Sequence, residues 1–349
     1  MTNRPPFTIT VKAADYLTKI AETVVRLEYG TDFKRDIKLH RENRVRSIYS
    51  SLAIEGNLLS MDEVTDVIAG KLVAGKQVEV AEVKNAYAAY DKIMTFDPYS
   101  VKDFLKAHQL MTDGLVEESG KFRNGDVGVF DGDVAIHVGA RPQFVPQLIE
   151  DLFSWAKESE LHPVLKSAIL HCEIETIYPF ADGNGRMGRL WQMLLLAKWK
   201  DIFAWIPMES VIFEKRPEYY QALQGAQRAN DISGFIEFTL SALLDTVERA
   251  EKQQAKNERS AAENERSFER RFKKVLKEAE LKKVAPVLSF IEEHGEISPQ
   301  EARSAVGKSE ATVWRYLRML CERGVLESTG NTSASKYFFK AEPKNNGGK

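Results

Sequence analysis

Residues 179–189, PFADGNGRMGR, bring together a carboxylate, two glycines around an asparagine, and two arginines. Arg186 and Arg189 are three positions apart, so on a helix both guanidinium groups can grip the oxygens of one anion. Asp182 supplies a carboxylate of the kind that Mg²⁺ takes together with substrate phosphates. These residues are the parts of a site for a polyphosphate and its metal ion.

Two predicted helices must position this segment. Residues 163–177 have helical periodicity, and Pro179 disfavours helix at the preceding Tyr178, so the first helix should end there. The second helix is predicted to start near Gly185 and is apolar on most sides, which is typical of a central helix. Its free amides and positive dipole end face the turn, where Gly183 allows the backbone to approach a ligand closely.

Two further residues of the segment have expected roles. Asn184 can hydrogen-bond a phosphate oxygen, and Phe180 is predicted to point inward and anchor the loop. The alternative is an ordinary corner between two helices, but the offsets of Asp182, Arg186 and Arg189 favour an anion site. The P-loop pattern and a strand-led GxGxxG are both absent, so the phosphate cradle would be of another kind.

From Phe180 to Arg189 the segment resembles the Fic signature, HxFx[D/E]GNGRxxR, and only the leading histidine is missing. Residues 168–177 also resemble the helix that precedes this signature in the family. The resemblance implies a mainly α fold with a small β-hairpin flap that transfers AMP from ATP to a Tyr, Ser or Thr hydroxyl of a target protein, with ATP and Mg²⁺ as cofactors. By position, it implies Asp182 as the Mg²⁺ ligand and Arg189 as the contact of the γ-phosphate. The nucleotide-binding residues that it implies are Gly183, Asn184, Gly185, Arg186 and Arg189.

Tyr178 stands where the family has the catalytic histidine that takes the proton from the attacking hydroxyl. A tyrosine titrates near pH 10 and is neutral at pH 7, so it is a donor more than a base. We therefore expect an intact nucleotide site with weak or absent transfer, in an inactivated variant, a naturally inactive member, or an enzyme whose base lies elsewhere. His171 and His137 are the candidates for such a base, and a structural role is favoured for His171.

A second motif lies far upstream. Residues 43–58 are predicted to form a helix that ends at Gly56-Asn57 and carries Ser47, Ser51 and Glu55 on one face. The pattern SLAIEG, from Ser51, resembles the family's inhibitory motif, [S/T]xxxE[G/N]. The resemblance implies that Glu55 pairs with Arg189, replaces the γ-phosphate and holds ATP in an unproductive pose. An ordinary solvated helix is the alternative.

A hairpin is predicted between these motifs. Residues 126–130 and 133–138 have strand character and are separated by Asp131-Gly132, a hairpin-turn pair. The family has a flap in this region, about 126–144, that aligns the target's hydroxyl-bearing segment by strand addition. A plain surface hairpin is the alternative.

The C-terminal part resembles a winged helix, with helices over 284–294 and 298–306 and a third that begins at Ser309. In DNA-binding relatives of this fold the third helix enters the major groove. That helix carries Arg315, Arg318 and Arg323, but Glu310 and Glu322 dilute its basic face. The wing is predicted from strands at 325–327 and 336–339 around Gly330-Asn331. Both DNA binding and a protein-contact role stay open, since the fold does not decide between them.

The predicted regions are an N-terminal helical region over 1–100 with the inhibitory helix, a Fic core over 101–246, a charged linker over 247–278, a winged helix over 279–343 and a disordered tail over 344–349. The linker is rich in Glu, Lys and Arg and lacks Gly and Pro, which favours a long solvated helix over a disordered segment.

Composition is ordinary for a globular protein, with 43% hydrophobic and 29% charged residues among 349 and a net charge of −2. No apolar run is long enough to span a membrane, and residues 1–6 have no apolar core, so no signal peptide is expected there. Cys172 and Cys321 are predicted to be buried thiols, so a cytoplasmic location is expected. Expected partners are a hydroxyl-bearing protein substrate, the chain itself as substrate or homodimer partner, and DNA. The rival functions are a nucleotide-sensing regulator that acts through the winged helix and a scaffold without nucleotide affinity.

Overall fold

The computed structural model describes residues 6–29, 37–74, 77–131, 134–329 and 335–340, with the backbone alone at 129–137, 261–262 and 264–269 within these ranges. The chain divides into two compact units at Ala255. This division falls inside the predicted linker, and each unit is described by itself.

The first unit is built almost entirely of helices, which confirms the predicted mainly α class. Its helices are α1 Val11–Tyr29, α2 Ile37–Ile54, α3 Met61–Ile68, α4 Gln77–Asp91, α5 Val101–Thr112, α6 Val145–Glu158, α7 Pro163–Ile177, α8 Asn184–Trp199, α9 Met208–Glu214, α10 Arg216–Ala229 and α11 Ser233–Lys273. Helix α11 continues past the division, so the predicted linker is helical as far as Lys273.

Helices α7 and α8 form the centre of this unit. Trp191 of α8 is fully buried and makes ring contacts with Phe104 and Phe153, at centroid distances of 4.9 and 5.9 Å. Its indole Nε1 donates to the Pro98 carbonyl at 2.9 Å, so burial leaves this donor satisfied. Because α8 is buried on nearly all sides, the loop that precedes it has a rigid support.

Helix α2 differs from its predicted bounds of 43–58. It starts at Ile37 and ends at Ile54, because Gly56 has a φ of +92° that a right-handed helix cannot continue. The Gly56 amide donates to the Ala53 carbonyl at 3.2 Å and the Asn57 amide to the Leu52 carbonyl at 3.1 Å. This pair of bonds closes the helix and leaves Glu55 at its rim.

The predicted hairpin consists of β1 Gly128–Asp131 and β2 Val134–Val138, which pair antiparallel with a bulge between Val129 and Phe130. The first strand starts two residues later than predicted, and Asp131 belongs to the strand instead of the turn. Gly132, the other half of the predicted turn, lies outside the described residues.

The second unit contains α12 Glu278–His294, α13 Pro299–Val306, α14 Glu310–Glu322 and the antiparallel strands β3 Leu326–Thr329 and β4 Lys336–Phe339. This order confirms the winged helix. Helix α12 starts six residues before the predicted 284, because the Lys277 amide donates to Glu280 Oε2 at 2.9 Å and caps an earlier first turn. The predicted wing tip at Gly330-Asn331 lies outside the described residues.

Two further expectations concern thiols and membranes. Cys172 is buried as predicted, whereas Cys321 is only partly buried and packs against the core of the second unit. None of the described helices combines the length and apolar character that crossing a bilayer requires.

Candidate active site

Tyr178 ends α7 in a left-handed conformation, with φ 56° and ψ 61°. The guanidinium of Arg123 supports this unusual backbone, since its Nε donates to the Tyr178 carbonyl at 2.6 Å and its Nη2 donates to the Ala140 carbonyl. The Arg123 amide donates to the Pro179 carbonyl at 3.1 Å. Arg123 therefore joins the base of the hairpin to the end of α7. Its role could not be predicted from the sequence, because nothing in its local pattern indicates a partner 55 positions away.

The loop between α7 and α8 is closed by Phe180 and Asn184. Phe180 is fully buried, which confirms that it points inward, and it stacks on the His108 ring at a centroid distance of 3.6 Å. The Asn184 side chain accepts from the Phe180 amide and donates to the Phe180 carbonyl, each at 2.9 Å. Asn184 thus shapes the loop, and its contact with a phosphate stays a prediction.

His108 is a second site residue that no local sequence signal indicates. Its Nδ1 accepts from the Gly120 amide and its Nε2 donates to the Asp182 carbonyl, both at 3.0 Å, which is the pattern of one neutral tautomer. Burial lowers the pKa of His108 to about 4, so the ring is uncharged at neutral pH. Because both ring nitrogens are hydrogen-bonded, His108 holds the loop in a fixed position.

The start of α8 forms an open cradle of amides. Gly183 precedes it with a φ of +85°, and no side chain caps the helix. In the described part of the chain, the amides of Asn184, Gly185 and Arg186 have no acceptor. A side chain at Gly185 would overlap the Glu55 carboxylate, so the glycine keeps this space clear. Unpaired amides at a helix N-terminus favour an anion.

Arg186 lies between two carboxylates. Its Nη2 donates to Asp182 Oδ2 at 2.8 Å, and its Nη1 lies 3.4 Å from Glu82 Oε1 on α4. The arginine side chain is 4% exposed, whereas that of Asp182 is 60% exposed. The Nε atom of Arg186 is buried without a described hydrogen-bond partner. Asp182 is thus the accessible member of this group.

Arg189 is held by the end of α2. Its Nη2 donates to Glu55 Oε1 at 2.6 Å and to the Ser51 carbonyl at 3.0 Å, and its Nε donates to Ser51 Oγ at 3.2 Å. Burial works to lower the pKa of Arg189, but the Glu55 charge raises it above its usual value, so the arginine stays charged. Its Nη1 is buried without a described partner, which leaves a donor for a ligand oxygen.

A buried carboxylate, Glu209 of α9, lies behind this contact. It accepts from Tyr90 OH at 2.8 Å and from Ser47 Oγ at 2.9 Å. Burial raises its pKa, while these bonds and the charge of Arg189 oppose that shift. Ser47, which precedes Ser51 by one helical turn, therefore serves this carboxylate and not Arg189. No sequence signal marked Glu209.

The hydroxyl of Tyr178 is a poor proton acceptor. Burial raises the pKa of Tyr178 to about 12, and the carboxylates of Glu175, Glu55 and Asp182 add to the shift. A hydrogen bond with Asn184 opposes it. Because the group stays protonated well above neutral pH, it can donate a hydrogen bond to a ligand but cannot take a proton at pH 7.

Of the two candidate substitute bases, His171 does not fill this gap. His171 is 1% exposed, its Nδ1 lies 2.6 Å from Gln192 Oε1 and its Nε2 lies 3.0 Å from Tyr219 OH. Both nitrogens are thus engaged, as the favoured structural role requires. The side chain of His137 lies outside the described part of the structure.

The residues present suit a metal ion that arrives with phosphates. Among the described residues, no group of three His, Cys, Asp or Glu side chains could hold a metal alone. Asp182 offers an exposed carboxylate beside the amide cradle. One carboxylate together with substrate phosphates is a usual Mg²⁺ environment.

Comparison with known proteins bears on both units. The sequence model described as Fic/DOC family matches residues 98–196, and the one described as winged helix-turn-helix DNA-binding matches residues 287–327. A crystal structure of a Fic family protein from Desulfovibrio desulfuricans G20 is 34% identical, with a TM-score of 0.70, and the match covers 98% of this chain and all of that one. Fic-1 of Caenorhabditis elegans, at 21% identity and a TM-score of 0.60, shares the fold over 71% of this chain and 73% of that one.

Curated relatives include the protein adenylyltransferase Fic of Aedes aegypti, which is 29% identical over 67% of this chain. The protein adenylyltransferase fic-1 of C. elegans is 24% identical over 64% of this chain. In each case the match covers only 44% of the relative's own length.

Proposed function

This chain belongs to the Fic/DOC family, and on that premise we propose that it transfers AMP from ATP to a hydroxyl side chain of a target protein. The names of the curated relatives support adenylyl transfer. One observation carries the proposal: the ion pair between Glu55 and Arg189, at 2.6 Å, joins two motifs that lie 134 positions apart. The segment from Phe180 to Arg189 lacks the signature histidine, and the SLAIEG pattern alone is compatible with an ordinary helix. The ion pair supports both assignments because it joins the residues that the two motifs are expected to bring together.

The amides of Asn184, Gly185 and Arg186 and the side chains of Arg186 and Arg189 bind the ATP phosphates in this proposal. Gly183 lets the phosphates approach the backbone closely, while its own amide donates to Asp182 Oδ1 at 2.7 Å. The open helix start and two orphan guanidinium nitrogens support these roles, because they offer donors that no described residue uses. Asp182 would hold Mg²⁺, which supplies positive charge to the phosphates when it is bound.

Transfer joins the target oxygen to the α-phosphorus and breaks the bond from that phosphorus to the pyrophosphate, which leaves. The hydroxyl proton must go to a base. Tyr178 is poorly suited to accept it, because its pKa is raised to about 12. Loss of a general base typically costs about 10²–10⁴-fold in rate, so binding survives and transfer is impaired.

Glu55 inhibits the same site in this proposal. Its carboxylate occupies the guanidinium of Arg189, to which the γ-phosphate would bind. A phosphate that approached Arg189 would be repelled by the Glu55 carboxylate and would find Nη2 already hydrogen-bonded to it. ATP would therefore bind weakly or in an unproductive pose. Removing Glu55 frees the donor.

Intact-mass spectrometry with ATP and Mg²⁺ tests the proposal on two forms of the Glu55→Gly chain, one with Tyr178 and one with Tyr178→His. We expect an added AMP only in the form with the restored histidine, on a supplied protein mixture or on the chain itself. Labelling of the Tyr178 form would mean that another group accepts the proton. Labelling of neither form, with no ATP binding, would refute the proposal.

A second candidate function is a nucleotide-binding regulator without catalysis that acts through the winged helix. The match of residues 287–327 to a DNA-binding winged helix-turn-helix favours it. It predicts affinity for duplex DNA that falls as the salt concentration rises.

That the chain forms a homodimer stays a prediction, and light scattering of the full chain is the measurement that tests it.

A further inference from the structure

Glu82 of α4 contacts two parts of the site with its two carboxylate oxygens. Oε1 lies 3.4 Å from Arg186 Nη1, and Oε2 accepts from Asn57 Nδ2 at 2.7 Å. The Glu82 side chain is 22% exposed, so both contacts are partly shielded from water. Nothing in the resemblance to the Fic signature assigns this residue a role.

Asn57 belongs to the turn that holds Glu55. Its side chain also donates to the Glu79 carbonyl at 3.3 Å and accepts from the Leu59 amide at 3.0 Å. The Asn57 side chain therefore holds the turn after α2 against α4. Since Glu55 lies two residues before Asn57, this clamp restricts where the Glu55 carboxylate can go.

Arg186 is the other partner, and its buried side chain has little freedom to turn. A phosphate that binds Arg186 brings negative charge towards Glu82, which weakens the ion pair and repels the carboxylate. Any movement of Glu82 also loosens its hold on Asn57. The two contacts are thus linked through one side chain.

We propose that Glu82 is a positioning residue that couples the phosphate site at Arg186 to the turn that carries Glu55. In this arrangement, phosphates at Arg186 weaken the clamp on Asn57 and so favour release of Glu55 from Arg189. The inference rests on the proposed function, since it concerns the same nucleotide site.

A double-mutant cycle tests the coupling, with ATP affinity measured by calorimetry on the full chain, Glu82→Gln, Glu55→Gly and the double variant. The side chain of glutamine has one oxygen where glutamate has two, so it cannot hold Arg186 Nη1 and Asn57 Nδ2 with separate oxygens. We expect Glu82→Gln to tighten ATP binding by about fivefold when Glu55 is present, and by clearly less after Glu55→Gly. Glu79→Gln is the matched control, because it makes the same charge change on the same helix and its side chain has no described contact.

Amide hydrogen exchange over residues 53–58 gives a readout that does not need ATP. Exchange should be faster in Glu82→Gln and in Asn57→Ala than in Glu79→Gln. The coupling would be overturned if Glu82→Gln tightened ATP binding equally with and without Glu55, or if amide exchange over residues 53–58 were unchanged. In that case, ATP binding by the Glu55→Gly chain would still uphold the proposed function. If the Glu55→Gly chain bound no ATP, the coupling and the proposed function would both be refuted. A purely structural role would lower the unfolding temperature and leave ATP affinity unchanged.

Discussion

At the scale of a single residue, the backbone conformation and the protonation of Tyr178 characterise this site. The φ of 56° places Tyr178 in the left-handed region, which histidine tolerates better than most residues. Its hydroxyl stays protonated because burial raises its pKa to about 12. Replacing Tyr178 by histidine therefore changes the proton affinity of the position with little added backbone strain.

The dependence of transfer on pH follows from this pKa. In the Glu55→Gly chain, any transfer that uses Tyr178 as base should rise about tenfold per pH unit from pH 7 to about 9.5, because the deprotonated fraction grows by that factor below the pKa. In Glu55→Gly with Tyr178→His, the rate should level off above about pH 7. Initial rates of AMP incorporation measure both, with Tyr178→Phe as control. A flat profile for the Tyr178 chain would show that its proton goes to another group.

At the scale of elements, the close approach of α7 and α8 supports the whole loop. A side chain at Gly188 of α8 would place its Cβ 2.7 Å from His171 Cδ2 on α7. His171 cannot easily move, since Gln192 and Tyr219 hold its two ring nitrogens. A glycine at this position therefore lets the two helices pack around a buried histidine.

Gly188→Ala should lower the free energy of unfolding by about 1–3 kcal/mol, because the added methyl overpacks this contact. Gly225→Ala in α10 is the matched control: nothing lies within 4 Å of its new methyl, so helix propensity should make it neutral or stabilising by up to about 1 kcal/mol. Urea denaturation measures both. Equal stabilisation of the two variants would mean that His171 moves aside freely.

At the scale of the whole molecule, the second unit offers less free positive charge than its arginines indicate. Arg318 pairs with Glu322 at 2.9 Å, and Arg323 donates to the Val275 carbonyl at 3.0 Å and to Glu280 at 3.2 Å. Of the three arginines, Arg315 alone has no partner among the described residues. Because so little of the positive charge is unpaired, we expect the affinity of this unit for DNA to be weak.

Arg315→Ala and Arg323→Ala should therefore separate binding from stability. If the full chain binds duplex DNA, Arg315→Ala should weaken binding and flatten its salt dependence by about one unit of slope. Arg323→Ala should instead lower the unfolding temperature of the second unit. Fluorescence anisotropy with a labelled duplex and calorimetry measure the two effects. DNA affinity that is unaffected by Arg315→Ala would exclude this helix as the contact surface.

Much of the site's local framework could be predicted because its signals are local. Helical periodicity and Pro179 defined α7 to the residue, and the turn glycines marked the loop before α8. The end of α2 was harder: Glu55 lies at its rim, not inside it, because the backbone bonds of Gly56 and Asn57 close the helix early. Periodicity alone does not reveal such a cap.

The sequence by itself determined the family resemblance, the helical class and the positions of the two motifs, since these depend on residue types and spacing along the chain. Only the tertiary structure decided that Arg123, His108, Glu82 and Glu209 support the site. It also decided how buried each charge is, and hence the raised pKa of Tyr178. The physical reason is the same in each case: contacts between distant segments, and the exclusion of water that they cause, exist only once the helices have packed.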